Sequence, residues 1–498
     1  MNRNPLDSEL QQISGMETST QALAKRLVAP SLALLFLLLA AVWTTVSTAS
    51  TSTSFVIIIG AIVAGYMALN IGANDVANNM GPAVGARALT MPVALLIAAV
   101  CEAAGALLAG GDVVATVASD LLVDLNIEPG SIILVMISAL LASAIWVHLS
   151  TFIGAPVSTT HSIIGGVTGA GIAAAGLSAV SWPNIFIIAF GWVLSPMAGG
   201  AIAALLLLCT QIAITRRIDK LGAAKTWVPV FVAIMVGTFS TYLASKGFQR
   251  VWSPAPALLV IIGIGAALLG WALAFIHVRQ RALNLENRKK HVATLFRLPL
   301  IFAAALLSFS HGANDVANAV GPLAAIVSAL EGQQAAMGAA TPFWVLAIGA
   351  FGISAGLALF GPRLIRTVGE QITKLNEIRA FCAALATAIT VLVASALGIP
   401  VSTTHIAIGA VFGIGFLREY RSRREMERKS VPTYARFVDP KALNTTPEMA
   451  FANAREIDRR QLIRRKSVYR IVGAWTVTLP CSAGFAAAVF FVLSRFAG

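Results

Sequence analysis

The chain has 498 residues, of which 57% are hydrophobic and only 12% charged, and it carries a net charge of +14. Ordinary soluble domains are roughly a quarter charged, so this composition excludes a soluble globular protein and indicates an integral membrane protein. The basic excess does not indicate a nucleic-acid partner, because Lys and Arg gather in a few loops, where orientation in a bilayer accounts for them.

In chain order, a polar segment leads into a first apolar run at 28–48. That run is long for the apolar part of a signal peptide and reads as a retained helix, despite the small residues Ser47-Thr48-Ala49-Ser50. Further runs follow near 55–71, 91–109, 131–149, 183–210, 226–245, 254–278, 298–310, 342–360, 380–399 and 471–496. Most approach or exceed the ~20 residues that span a bilayer as a helix, and their lengths do not suit barrel strands. The expected fold class is an all-α polytopic membrane protein. Cys101, Cys209, Cys382 and Cys481 lie in or at the ends of these runs without metal-ligand spacing, so no disulfide or redox role is expected.

Two motifs occur twice. Gly72-Ala73-Asn74-Asp75-Val76-Ala77-Asn78 returns as Gly312-Ala313-Asn314-Asp315-Val316-Ala317-Asn318, and Pro156-Val157-Ser158-Thr159-Thr160-His161 returns as Pro400-Val401-Ser402-Thr403-Thr404-His405. The offsets are 314 − 74 = 240 and 402 − 158 = 244. Loop charge orients the copies. The loops holding Arg216, Arg217, Lys220 and Lys225, those holding Arg279 to Arg297 and Arg363 to Arg379, and the polar insert 418–470 with fifteen Lys/Arg against seven Asp/Glu, belong in the cytoplasm. The segment 111–130 has Asp112, Asp120, Asp124 and Glu128 but no Lys or Arg, and faces outward. An odd number of crossings joins it to Arg216, supplied by 131–149, 156–176 and 183–210. The Asp75 segment then starts outside and the Asp315 segment starts inside. The expectation is two inverted-topology repeats with interrupted helices, the arrangement of secondary transporters whose site lies near the midplane.

Asn78 falls on one helical face with Asn74 and Asp75. Gly81-Pro82 and Gly321-Pro322 follow the copies and are expected to break the helix there, exposing carbonyls. Carbonyls, Asn oxygens and a carboxylate suit a small cation, and the carboxylate alone suits a proton. The competing reading, polar residues that only bond helices together, must explain a buried carboxylate costing roughly 2.5 to 3.5 kcal/mol twice over in identical surroundings. In the Pro-Val-Ser-Thr-Thr-His motif, Pro sits as at a helix start, and free amides with three hydroxyls at such an end form an anion site. His161 and His405 serve either proton shuttling or packing. Glu102 is a third intramembrane carboxylate without a counterpart, since Phe351-Gly352-Ile353-Ser354-Ala355-Gly356 aligns with its surroundings. It reads either as an asymmetric coupling residue or as an interfacial acid with a structural role, and the first reading is favoured.

At these residues the chain resembles the PiT inorganic phosphate transporter family, whose halves carry a Gly-Ala/Gly-Asn-Asp-Val-Ala/Ser-Asn and a Pro-Val-Ser-Thr/Gly-Thr-His signature. The resemblance implies a secondary active transporter of the cytoplasmic (inner) cell membrane, carrying inorganic phosphate with a coupling cation, H+ or Na+, by alternating access. It implies no other cofactor and leaves a homo-oligomer open. Substrate-binding residues by position are Ser158, Thr159, Thr160, Ser402, Thr403, Thr404, Asn74 and Asn314. Coupling-ion residues are Asp75, Asn78, Asp315, Asn318 and Glu102, with sodium, if that is the cation, at Asp75 and Asp315. One departure stands: some members have an acid upstream of the second Ser/Thr motif, where Phe381-Cys382-Ala383-Ala384-Leu385-Ala386 has none. This leaves the ion and its stoichiometry open.

The expected organisation is an N-terminal polar segment and extra helix (1–54), a first repeat (55–225), central helices with a basic loop (226–297), a second repeat core (298–417), a basic cytoplasmic loop (418–470) and a closing helix (471–498). No Gly-x-x-x-x-Gly-Lys-Ser/Thr loop for ATP occurs. Two alternatives remain: the same machine carrying another tetrahedral oxyanion such as sulfate, and an intramembrane hydrolase using Ser158 and His161, which would leave the duplication unexplained.

Overall fold

A computed structural model describes residues 27–48, 54–123, 129–154, 157–247, 252, 254–331, 341–371, 375–430 and 465–497. The polar N-terminal segment up to 26, Asp124 and Glu128 of the acidic segment, Pro156 and most of the basic insert (431–464) lie outside the described residues. Sixteen α-helices in chain order are α1 (Leu27–Ser47), α2 (Ser54–Gly85), α3 (Met91–Ala109), α4 (Gly111–Ser119), α5 (Pro129–Phe152), α6 (Thr159–Ala175), α7 (Trp182–Thr210), α8 (Lys220–Tyr242), α9 (Pro256–Ala282), α10 (Lys289–Thr294), α11 (Arg297–Asp315), α12 (Ala317–Leu330), α13 (Phe343–Gln371), α14 (Glu377–Ala396), α15 (Thr403–Ser430) and α16 (Arg465–Ala497). Eleven helical spans among the described residues are long and apolar enough to cross a bilayer. The protein is an all-α, multi-pass membrane protein. Its polarity is distributed accordingly: Asp75, Glu102, His311 and Asp315 are buried, whereas leucines and aromatics of α1, α7 and α9 are exposed.

Glycines mark crossings between helices of the two halves of the sequence. A Cβ on Gly72 of α2 would lie 2.0 Å from Ile353 O of α13, and one on Gly312 of α11 would lie 2.0 Å from Glu102 O of α3. Gly105 against Phe309 O and Gly356 against Leu69 O repeat both distances from the other side. Each motif glycine therefore marks a backbone-to-backbone crossing, as small residues do between membrane helices.

This corrects one expectation. Neither Gly-Pro pair breaks its helix: α2 runs through Pro82, and Pro322 lies inside α12. Dense packing holds the helix, and each Pro removes only one amide donor, leaving the carbonyl four residues back without its helical bond. Those carbonyls belong to Asn78 and Asn318. The interruption in the second copy comes earlier, between Asp315 and Ala317, where Ala319 N turns to Val316 O at 3.1 Å.

The Ser/Thr motifs lie at the tips of two hairpins. The chain before α5 bridges to the chain after α6 through Leu122 and Val180, with Val123 N to Ala179 O at 2.8 Å and Ser181 N to Leu121 O at 3.0 Å. Both ends of the α5–α6 hairpin therefore lie together. At its far end the α14–α15 hairpin is tied to the end of α7 through Arg421, whose guanidinium donates to Gln211. Its tip, 397–402, meets the tip of the first. The insert expected from residue 418 onward is helical up to Ser430, as the continuation of α15.

Replacing Gly312 by Val is expected to prevent the α3–α11 crossing, a loss at or above the roughly 1–3 kcal/mol of core overpacking. The detergent-solubilised variant should melt well below wild type, or fail to yield folded protein. Gly265→Ala on α9, where a Cβ meets nothing within 4 Å, should melt as wild type or slightly higher.

Candidate functional site: where the two hairpin tips meet

The site begins with two capped helix starts. Ser158 caps α6, its Oγ accepting from His161 N at 3.1 Å, and Ser402 caps α15, accepting from His405 N at 3.3 Å. Each serine proton stays available for donation. The amides of Thr159, Thr160, Thr403 and Thr404 sit in the first turn, where no intrahelical carbonyl can accept them, so two positive helix ends converge. The tips touch directly: Thr160 Oγ1 donates to Val401 O at 3.0 Å, and the rings of His161 and His405 meet edge to face at 4.6 Å. His161 also stacks on Trp192 at 3.9 Å, so both histidines serve the packing of the tips. The link between Ser158 and His161 runs through the main-chain amide, not the imidazole, which is not a nucleophile–base geometry.

The repeated aspartates lie beneath these tips. Asp75 Oδ2 accepts from Thr159 Oγ1 at 3.1 Å and Asp75 Oδ1 from Thr404 Oγ1 at 3.1 Å. Asp315 Oδ2 accepts from Thr403 Oγ1 at 3.2 Å and from Thr159 Oγ1 at 3.4 Å. The last asparagine of each motif reaches across to the other half, Asn78 Nδ2 to Thr404 Oγ1 at 2.8 Å and Asn318 Nδ2 to Thr160 Oγ1 at 3.1 Å. Of the residues expected at the site, Asn74 and Asn314 stand apart. Asn74 donates to Thr151 Oγ1 at 2.8 Å, and Asn314 donates to Ser395 Oγ at 3.0 Å and Ile399 O at 3.2 Å while accepting from Val401 N at 3.1 Å. Their amide groups hold the hairpin tips in place.

His311 was not singled out by the motifs. It is wholly buried, with Nδ1 3.1 Å from Glu102 Oε2 and Nε2 3.3 Å from Asp315 Oδ2 and 3.7 Å from Asp75 Oδ2. Asn79 Nδ2 holds the other Glu102 oxygen at 2.8 Å. Glu102 is thereby joined to both aspartates through one imidazole. A signal was present in the sequence: Ile71 precedes the first motif where His311 precedes the second, placing an ionisable group one helical turn before Asp315 in one copy alone.

Three buried carboxylates face one imidazole, and no buried Lys or Arg occurs among the described residues. Such a cluster is short of positive charge in a low-dielectric setting. At the cluster, Asp315 Oδ1 and Asn318 Oδ1 are buried without a hydrogen-bond partner among the described residues. Together with the carbonyls freed by Pro82 and Pro322, they are hard oxygen donors of the kind a small cation takes. Asp75, His311 and Asp315 also lie close enough together to ligate a single ion. The arrangement can hold an oxyanion at the helix starts and cations among the carboxylates.

Known proteins bear on this geometry. A family model described as the phosphate transporter family, PHO4, matches residues 71–486. A putative phosphate permease of Helicobacter pylori strain J99 is 42% identical over 97% of this chain and 98% of its own length. The chloroplastic inorganic phosphate transporter 2-1 of Arabidopsis thaliana is 37% identical, over 74% of this chain and 67% of its own. A solved structure described as the sodium-dependent phosphate transporter superposes with a TM-score of 0.75 at 32% identity, covering 89% of this chain and 99% of that one. With the family match spanning both motif pairs and the hairpins that carry them, this chain belongs to the phosphate transporter family.

Proposed function

We propose that this secondary phosphate transporter is a cation-coupled symporter of the cytoplasmic membrane, built as two inverted-topology halves that expose one central site to either side in turn. The observation that carries the reading is the meeting of two capped helix starts over three buried carboxylates and one imidazole. Phosphate is held by the first-turn amides of α6 and α15 and by the hydroxyl protons of Ser158 and Ser402, with the hydroxyls of Thr159, Thr160, Thr403 and Thr404 turning to it from Asp75, Asp315 and Val401 O as it binds. The cation neutralises Asp75 and Asp315, so anion and cation stabilise one another and neither binds well alone. Sodium is favoured over the proton by the unpartnered oxygens of Asp315 and Asn318 and by the sodium dependence stated of the solved relative. Asn78 and Glu102 belong to the same cation shell, and Asn74 and Asn314 position the tips. The six-part organisation set out above is kept as part of this reading.

Sidedness is supported by contacts that join only segments of like assignment. Lys246 at the end of α8 pairs with Asp112 at 2.7 Å, both on the outer side by loop charge. Asn287 caps the start of α8 by accepting from Lys220 N at 2.8 Å, and Arg297 lies 3.5 Å from Glu377, all four on the cytoplasmic side. The α5–α6 hairpin begins and ends beside Leu122 on the outer side, and α14–α15 begins and ends on the inner side. Each is re-entrant in this reading. Treating 156–176 with 131–149 as a returning pair leaves the crossing parity odd, so the inverted orientation stands.

Reconstituted into liposomes, the protein should concentrate radiolabelled phosphate under an imposed sodium gradient, and much less under a proton gradient alone. Asp75→Asn and Asp315→Asn should each abolish gradient-driven uptake while melting near wild type; wild-type accumulation by either variant would remove the aspartates from coupling.

His311→Ile copies Ile71 of the first half and leaves Glu102 without its imidazole. Stranding a buried charge typically costs about 3–5 kcal/mol, so this variant should lose both uptake and several degrees of thermal stability, and adding Glu102→Gln should restore stability but not uptake. A stable, active His311→Ile would show that the imidazole is dispensable.

Sulfate should compete poorly. Phosphate retains a proton at neutral pH and can donate to an Asp or Asn oxygen, whereas sulfate offers acceptors only. Equal competition in the uptake assay would make the substrate a tetrahedral oxyanion in general.

A further inference from the structure

The two halves repeat their contacts but not their closure. Asn74–Thr151 corresponds to Asn314–Ser395, and Gly165 and Gly169 of α6 pack on α16 as Gly409 and Gly413 of α15 pack on α7, which fixes the equivalent positions in each half. A cavity of ≈ 620 Å³ of empty space, counted with its open mouth, reaches from the site at Asn78 along Pro82, Leu307, Ala384, Thr387 and Ala407 to Leu375, beside the Arg297–Glu377 pair. Asn78, Pro82 and Ala407 are partly exposed to it, whereas their equivalents in the other half, Asn318, Pro322 and Ile163, are buried; Met67, Leu140 and Ser143 are the equivalents of Leu307, Ala384 and Thr387, and both sets are buried. Where the cavity has Ala384 and Ala407, the opposite side has Leu140 and Ile163, both 0% exposed. A Cβ on Gly81 would meet nothing within 4 Å, while one on its equivalent, Gly321, would lie 2.6 Å from Val117 of α4. One side of the site is open and the other is filled.

We propose that the cavity is the cytoplasmic release path for phosphate, and that Met67, Leu140, Ile163 and Val117 form the extracellular gate that opens when it closes. The inference rests on the symporter reading for its sidedness and its cargo. The gate is apolar and closes by side-chain packing alone, so its strength is set by side-chain volume. Ala384 and Ala407, being small, cannot close the cytoplasmic side as firmly, and the difference biases the resting protein toward facing inward. Asn78 is reached from the cavity, while its equivalent Asn318 is 1% exposed. Phosphate leaving the tips therefore passes Asn78 first.

The test uses the full chain in proteoliposomes of known orientation, with labelling by a membrane-impermeant thiol reagent read as the increment over the four native cysteines. Val411→Cys should label from the cytoplasmic face at least about tenfold faster than Val167→Cys labels from outside, in keeping with a population bias of that order. Leu140→Ala with Ile163→Ala trims the gate and should raise outside labelling of Val167→Cys about tenfold while slowing cytoplasmic labelling of Val411→Cys. Ala384→Leu with Ala407→Ile, which gives the cavity the gate's side chains, should slow cytoplasmic labelling of Val411→Cys, and serves as the second arm should the trimmed protein fold poorly. Equal labelling of Val411→Cys and Val167→Cys from their own sides, or no response to either double substitution in folded protein, would overturn the gate. Failure of wild-type phosphate uptake would instead count against the symporter reading, because the labelling does not depend on which anion is carried.

Discussion

Everything in this molecule is arranged around a shortage of positive charge at membrane depth. Asp75, Glu102 and Asp315 are removed from water, and the one imidazole among them cannot balance all three. A protein selected for stability alone would do better with apolar residues in these places. The hydroxyls of the hairpin tips offset part of the desolvation by donating to the carboxylates. What remains uncompensated is an affinity for cations. In the symport proposed above, a site that is incomplete until its ion arrives couples the ion to the anion without any moving part dedicated to coupling.

The scaffold that tolerates this deficit is stiff because its helices cross at glycines. At Gly72, Gly105, Gly312 and Gly356 the backbones touch, so the crossings cannot slide without separating. The hairpin tips are held by Asn74 and Asn314 and by the two serine caps. The carboxylates and the first-turn amides are thus fixed relative to one another before any ligand binds, which lowers the ordering cost of binding.

Much of this was legible in the sequence because duplication writes the same chemistry twice. The apolar runs, the paired aspartates, the paired helix starts and the acid at Glu102 all come from residue type and spacing. Three features did not. The prolines were read as helix breaks, but tertiary packing overrides a single missing donor, so Pro82 and Pro322 remain inside helices and free a carbonyl. The motif asparagines Asn74 and Asn314 have the same residue type as Asn78 and Asn318 but a different duty, because one helical turn along the same face separates an amide that meets its own half's hairpin from one that meets the other half's. His311 lies outside the repeated heptapeptide, and a search for what the halves share passes over what only one of them has.

The crossings also set the order in which the chain can be built. Gly72 waits for Leu357 and Gly105 waits for Phe309, so each half supplies the surface against which the other is completed. At roughly 5–20 residues per second of synthesis, α2 and α3 reside in the bilayer for some tens of seconds before α11 and α13 emerge. During that time Asp75 and Glu102 lie in the membrane without His311 beside them. A nascent first half is therefore a chain with two unmatched acids and two bare glycine grooves, dependent on the insertion machinery or on proton uptake until its sister arrives. A half-length product would lack the backbone surfaces that cover Gly72 and Gly105.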